Sequence, residues 1–129
     1  MTPPVVCVMH GQQESASEGL STLVALERWQ VLIDRLVEWG QTPSQVDEDG
    51  LQSPTSAAIS KSFALIKALR EKKAPIPHRL IQDGNGGIVL ERQSGKITVR
   101  FEVSESGEVE FFSFEDCRLI ERQPVDLGV

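Results

Sequence analysis

The sequence predicts an α+β fold, in which two N-terminal helices pack on one face of a four- to five-stranded antiparallel meander. In the first half of the chain, apolar residues recur at helical spacing in two segments. After His78 they recur at every second position, and short glycine-containing turns separate the alternating runs. Consecutive strands joined by such turns pair antiparallel, and amphipathic helices then cover the apolar side of the sheet.

The first helix is predicted to begin at Ser21 and to end at Gly40, which stands where a C′ glycine would end it, ahead of Pro43. Its buried face is expected to carry Leu23, Leu26, Ile33, Leu36 and Val37, with Trp29 and Trp39 within reach. Residues 1–20 are rich in Pro, Gly, Ser, Gln and Glu, and we expect them to form a loosely ordered arm.

The second helix is predicted to follow the polar loop 41–52, with Ser53 as N-cap and Pro54 at the first helical position. Thr55 or Ser56 could cap it instead. A buried stripe is expected at Ile59, Phe63, Ile66 and Leu69. The basic cluster Arg70, Lys72 and Lys73 is then explained by the negative end of the helix dipole.

Strands are predicted over residues 79–82, 87–93, 96–103, 108–115 and 117–122, with Ser94-Gly95 as a two-residue hairpin turn. The α+β domain would then span residues 21–123, followed by a tail at 124–129. The glycine cluster in 83–87 has two interpretations, a phosphate-binding loop or a hairpin turn. We favour the turn, because the glycines precede a strand, whereas a phosphate loop leads into a helix N-terminus.

Charge and composition exclude several functions. A net charge of −6 with no basic stripe argues against nucleic-acid binding, and no segment is apolar enough to span a membrane. The only cysteines, Cys7 and Cys117, form no CxxC pair, so we expect free thiols, no metal site and no cofactor. The N-terminus lacks the features of a signal peptide, so a cytoplasmic location is expected.

No set of residues in the sequence converges on catalysis, so no catalytic residue is assigned. His78 and Asp83, with the acidic loop at 47–49, could form a small-ligand or enzyme site at the loop end of the sheet. Cys117 is expected to be a half-buried strand residue. A calcium loop around Gly50 would lack the required carboxylates at its first and last positions.

The outward face of the sheet is the best candidate surface. In a simple register it carries Val89, Glu91, Gln93, Thr98, Arg100, Glu102, Glu110, Phe112 and Phe114. Glu91, Glu102 and Glu110 beside Arg100 would form a cross-strand charge ladder. The FFSF segment leaves two possibilities open: Phe112 and Phe114 pack in the core, or they form a patch that binds a partner.

The order of these features resembles a family of small uncharacterised bacterial proteins that have a helix, a Trp-Asp-Gly loop, a second helix and a β-meander. The matching residues are Asp49-Gly50, Pro54 with Ala58-Ile59, Pro75, Pro77, Gly86-Gly87-Ile88, Leu90-Glu91 and Gly107. Glu48 and Arg92 stand where that family has tryptophan. The resemblance implies an α+β fold and a bacterial cytoplasmic setting, and it carries over no activity.

The sequence therefore predicts a non-enzymatic module for protein–protein interaction, whose partner is another protein or a second copy in a homodimer. The alternative is a small-ligand-binding protein or enzyme that uses the region near His78 and Asp83.

Overall fold

The computed structural model describes residues 21–41 and 45–127, with side chains from residue 27 onward. Its elements are α1 (Ser21–Gly40), α2 (Ser56–Glu71), β1 (Arg79–Gln82), β2 (Ile88–Ser94), β3 (Ile97–Val103), β4 (Val109–Glu115) and β5 (Arg118–Val125). The strands form one sheet in the order β1-β2-β3-β4-β5, and every neighbouring pair is antiparallel. The predicted α+β meander with helices on its N-terminal side is confirmed. The predicted arm, 1–20, lies outside the described residues.

The hydrophobic core lies between the two helices and one face of the sheet. Its most deeply buried apolar side chains are Leu36, Leu65, Ile66, Ile88, Leu90 and Val103. In β2, Ile88 and Leu90 point to the core while Val89 and Glu91 point away, because successive strand residues face opposite sides. The buried side chains of the sheet belong to β1, β2, β3 and β4, whereas nearly all of β5 is exposed.

The predicted buried face of α1 is correct in part. Trp29, Leu36 and the unpredicted Leu32 are buried, whereas Val37, expected to be buried, is 43% exposed. Leu32 and Leu36 are four residues apart and share one face of the helix, and Val37 is rotated away from it. The side chains of Leu23 and Leu26 lie outside the described residues.

The expected C′ role of Gly40 is wrong. Gly40 is the last residue of α1, and it is not among the glycines with positive φ. A Cβ at this position would lie 3.4 Å from Cγ2 of Ile59, so Gly40 faces α2. This is an ordinary van der Waals distance, so the contact between the helices does not require a glycine at this position.

The N-cap of α2 is Thr55, the alternative to Ser53. Its Oγ1 accepts a hydrogen bond from the Ala58 amide at 3.1 Å and donates one to the carbonyl of Glu105 at 2.7 Å. The Thr55 amide donates to the carbonyl of Gly86 at 3.1 Å. The cap is therefore chosen by tertiary contacts that join the start of α2 to two loops of the sheet.

The C-terminus of α2 ends in a Schellman motif without glycine. Lys73 has a φ of +56°, and its amide donates to the carbonyl of Arg70 at 3.0 Å. The amide of Ala74 donates to the carbonyl of Leu69 at 2.9 Å, which completes the motif. Of the basic cluster, only Arg70 lies in the last turn of the helix.

Two hairpin turns differ from the prediction. The β2–β3 turn is Gly95-Lys96, since Ser94 pairs with Ile97, and Gly95 has a φ of +62°. A primed hairpin turn needs positive φ at its first central residue, and Gly95 adopts this without steric cost.

The β4–β5 turn is Asp116-Cys117, with φ values of +51° and +69°, as a type I′ turn requires. Cys117 is thus an exposed turn residue and does not begin the last strand.

Candidate interaction surface on the open face of the sheet

The face of the sheet opposite the helices, here called the open face, carries all the residues that the sequence placed there. The strand register arranges them in rows that run across the strands. The middle row is Arg79, Glu91, Arg100, Phe112 and Arg122. The acidic row, two residues away along the strands, is Ile81, Val89, Glu102, Glu110 and Pro124. On the other side of the middle row lie Gln93, Thr98, Phe114 and Leu119.

Glu91 is the centre of the ion-pair network in the middle row. Its Oε2 accepts from Nη2 of Arg100 at 2.9 Å and from Nε at 3.3 Å, and its Oε1 accepts from Nη1 of Arg79 at 3.1 Å. The side chain of Glu91 is only 14% exposed, and that of Arg100 is 24% exposed. Two arginines therefore hold this carboxylate in place at a largely desolvated position.

Glu102 and Glu110 stand directly opposite each other in the acidic row. Like charges opposite each other on adjacent strands are destabilising. Each is offset by an arginine of the middle row: Nη1 of Arg100 lies 3.5 Å from Glu102, and Nε of Arg122 lies 3.0 Å from Glu110. The predicted ladder exists, but it needs Arg122 as a second cation.

Phe112 and Phe114 lie on the open face and do not join the core. Their rings are stacked with centroids 6.3 Å apart and planes 13° apart. The guanidinium of Arg100 lies 5.3 Å from the ring centroid of Phe114, and that of Arg122 lies 5.3 Å from the ring of Phe112. Both distances are within the range of cation–π contacts. Both phenylalanines are half-buried. The third phenylalanine of the segment, Phe111, faces the helix side and contacts Phe101 with a centroid distance of 5.2 Å.

The glycine cluster is a self-contained turn, as predicted. Oδ1 of Asp83 accepts hydrogen bonds from the amides of Asn85 at 2.7 Å and Gly87 at 2.8 Å. These are the backbone donors that a phosphate would need, and the chain's own carboxylate occupies them. A Cβ at Gly87 would come within 2.5 Å of both Asp83 Oδ2 and the carbonyl of Val103, so the turn has no room for a side chain there.

The structure does not bring His78 and Asp83 together. The amide of His78 donates to the carbonyl of Glu91 just before β1, whereas Asp83 follows β1 and pairs with Gly87. Five residue steps along an extended chain separate them by about 16 Å. Asp83 shares its end of the sheet with the acidic loop, where the Gln52 amide donates to the Gly84 carbonyl. His78 instead lies beside Arg92, with Nη1 2.9 Å from its Nε2.

Three further findings concern metal binding, membrane crossing and the cysteines. Over residues 21–41 and 45–127, no group of three or more His, Cys, Asp or Glu residues is arranged to hold a metal ion. Within the same residues, neither helix combines the length and apolar character needed to cross a membrane. Cys117 is disulfide-bonded, so the expectation of a free thiol is wrong for this residue, and Cys7 lies outside the described residues.

Sequence reasoning missed Arg79 and Arg122 as members of the open face. For Arg79, the alternation of its strand was a usable signal, since Arg79 and Ile81 share a face with Val89 and Glu91. Arg122 could not be placed, because a register shift between Ser113 and Phe114 interrupts the pairing of β4 with β5.

Comparisons with family models, curated proteins and solved structures give no match. The resemblance to the bacterial family therefore stays a prediction.

Proposed function

We propose that this protein is a protein–protein interaction module and that the open face of the sheet is its contact surface. The single observation that carries the proposal is the Phe112–Phe114 stack, which lies outside the core on the open face of the sheet. Phenylalanine and arginine are among the residue types enriched at the centre of protein interfaces. Here both types alternate in one compact patch whose geometry is fixed by strand pairing.

The ion-pair network favours binding over catalysis at this surface. Glu91 forms ion pairs with Arg79 and Arg100, and Glu110 forms one with Arg122. The ion pairs occupy these carboxylates, which favours a structural role over an acid–base role. A preorganised set of side chains loses little conformational entropy when a partner binds. The open face thus offers an aromatic centre contacted by two arginines and surrounded by polar and charged residues, which is the usual composition of a transient interface.

Photo-crosslinking tests this proposal. A photoreactive phenylalanine analogue in place of Thr98 would sit on the open face, and the same analogue in place of Ser60, exposed on α2, serves as the matched control. We expect protein adducts in native cell extract from position 98 and far fewer from position 60. The proposal is contradicted if position 98 gives no adducts, or if the two positions give the same ones.

A cytoplasmic location is a second proposal, independent of the contact surface. The disulfide at Cys117 is more typical of an oxidising compartment. Thiol labelling of the protein in freshly lysed native cells decides between the cytoplasm and an oxidising compartment. Reactive Cys117 would support the cytoplasm, and Cys117 blocked until a reductant is added would contradict it.

A further inference from the structure

We propose that the occupant of the open face is a second copy of this chain, packed open face to open face about a two-fold axis that runs across the strands. This inference rests on the proposed function and names the partner. It is carried by the distribution of charge between the two rows and by the size of the face.

The open face is electrically neutral on a chain that is strongly acidic. The middle row carries three arginines and one glutamate, for a net charge of +2, and the acidic row carries Glu102 and Glu110, for a net charge of −2. The two rows cancel, whereas the whole chain has a net charge of −6. Two copies, each with a net charge of −6, therefore repel each other least when their neutral open faces meet.

The order of the rows makes the face complementary to itself. A two-fold axis lying between the middle row and the acidic row, parallel to both, turns one copy so that its acidic row lies over the middle row of the other. Each +2 row then faces a −2 row of the other copy, in addition to the ion pairs that Arg100 and Arg122 make with Glu102 and Glu110 within one copy. In an isologous dimer each such contact occurs twice, so a single complementary pair of rows satisfies the whole interface.

The area of the face limits how much surface a dimer can bury. Five strands about 4.8 Å apart and seven residues rising about 3.3 Å each give a face of about 24 by 23 Å. The axis between the middle row and the acidic row shifts the two copies by about two residue steps, so about 24 by 17 Å of each face overlaps. Two copies would bury about 800 Å² in total, below the usual range for a specific interface. We therefore expect a weak, concentration-dependent dimer.

Charge reversal provides a sharp test. Arg122→Glu changes the charge of the face to −2, and Glu110→Arg changes it to +2. Sedimentation equilibrium of the full-length protein is expected to show a wild-type dimer, weakening of about tenfold or more for each variant alone, and restored association when the two variants are mixed. Both positions are exposed, at 59% and 38%, so both variants are expected to fold, which circular dichroism checks.

The matched control is the same pair of reversals on α2, Lys67→Glu and Glu71→Arg, which should leave dimerisation unchanged. The inference is overturned if the wild type stays monomeric at about 1 mM, or if mixing the open-face variants fails to restore association. If the wild type is monomeric but position 98 still crosslinks to other proteins, the proposed function stands and only the partner is wrong. Crosslinks from position 98 to residues 1–20 of the same molecule would also overturn the dimer and would assign the face to that segment.

Discussion

The two faces of the sheet are built from alternate residues of the same strands, yet different forces hold them. On the helix-covered face, Ile88 and Leu90 are fully buried among apolar side chains. On the open face, their neighbour Glu91 is held by ionic hydrogen bonds to Arg79 and Arg100. Leu90 and Glu91 are adjacent in β2, yet apolar packing holds Leu90 in place and ionic hydrogen bonds hold Glu91.

This difference indicates where the stability of the fold resides. Fully burying a leucine side chain stabilises a protein by about 1.5–3 kcal/mol, whereas a solvent-exposed ion pair contributes about 1 kcal/mol or less. The covered face thus determines whether the chain folds. The open face contributes less to stability than the covered face, so its exposed side chains, such as Arg122, can be used for binding without loss of the fold.

Leu90→Ala is expected to give the largest effect. It should lower the free energy of unfolding by about 2–5 kcal/mol, because Leu90 is fully buried and its truncation leaves a cavity between sheet and helices. Urea denaturation followed by circular dichroism measures the change.

The matched control is Leu119→Ala, the same chemical change at an exposed position beside Phe114, with an expected loss of about 0.5 kcal/mol or less. Equal losses at the two positions would mean that the two faces do not differ as described.

Ser62→Ala tests the cost of a polar group in the core, on the helix-covered side of the sheet. Ser62 is the one buried polar residue among the described core residues, and its Oγ has no hydrogen-bond partner there. An unpaired buried hydroxyl costs about 1–3 kcal/mol, and alanine fills nearly the same volume, so this substitution should raise the free energy of unfolding by about 1 kcal/mol. Ser60→Ala, an exposed change on the same helix, isolates the gain in helix propensity. A Ser62→Ala variant no more stable than Ser60→Ala would show that the hydroxyl is satisfied.

The strands and the open face could be predicted because a strand has a period of two. Once Ile97, Val99, Phe101 and Val103 were assigned to one side, Thr98, Arg100 and Glu102 had to lie on the other, and short turns left little freedom in the register. The glycine turn at 83–87 followed from local chemistry alone. The position of Phe112 and Phe114 could not be decided, because FFSF is apolar on both faces.

Other features depend on contacts distant in sequence. Thr55 caps α2 because it meets Gly86 and Glu105, and the spacing of the sequence around Ser53 does not reveal either contact. Val37 was misplaced because one residue of rotation on α1 separates a buried position from an exposed one. The acidic loop, His78 and Asp83 were grouped by their charge, and only the direction of β1 shows that His78 lies at the opposite end.

The smallest expected effect tests how the open face holds itself together. A double-mutant cycle of Glu91→Gln and Arg100→Gln should give a coupling free energy of about 1 kcal/mol, since both side chains are under a quarter exposed and share two hydrogen bonds. The parallel cycle of Glu110→Gln and Arg122→Gln, a more exposed pair with one hydrogen bond, should give about 0.3 kcal/mol. Raising the salt concentration should reduce the second coupling more than the first, because water and ions screen the exposed pair more effectively. Equal couplings with equal salt dependence would mean that Glu91 is no better shielded than Glu110, and the ordered, partly desolvated centre assigned to the open face would then be absent.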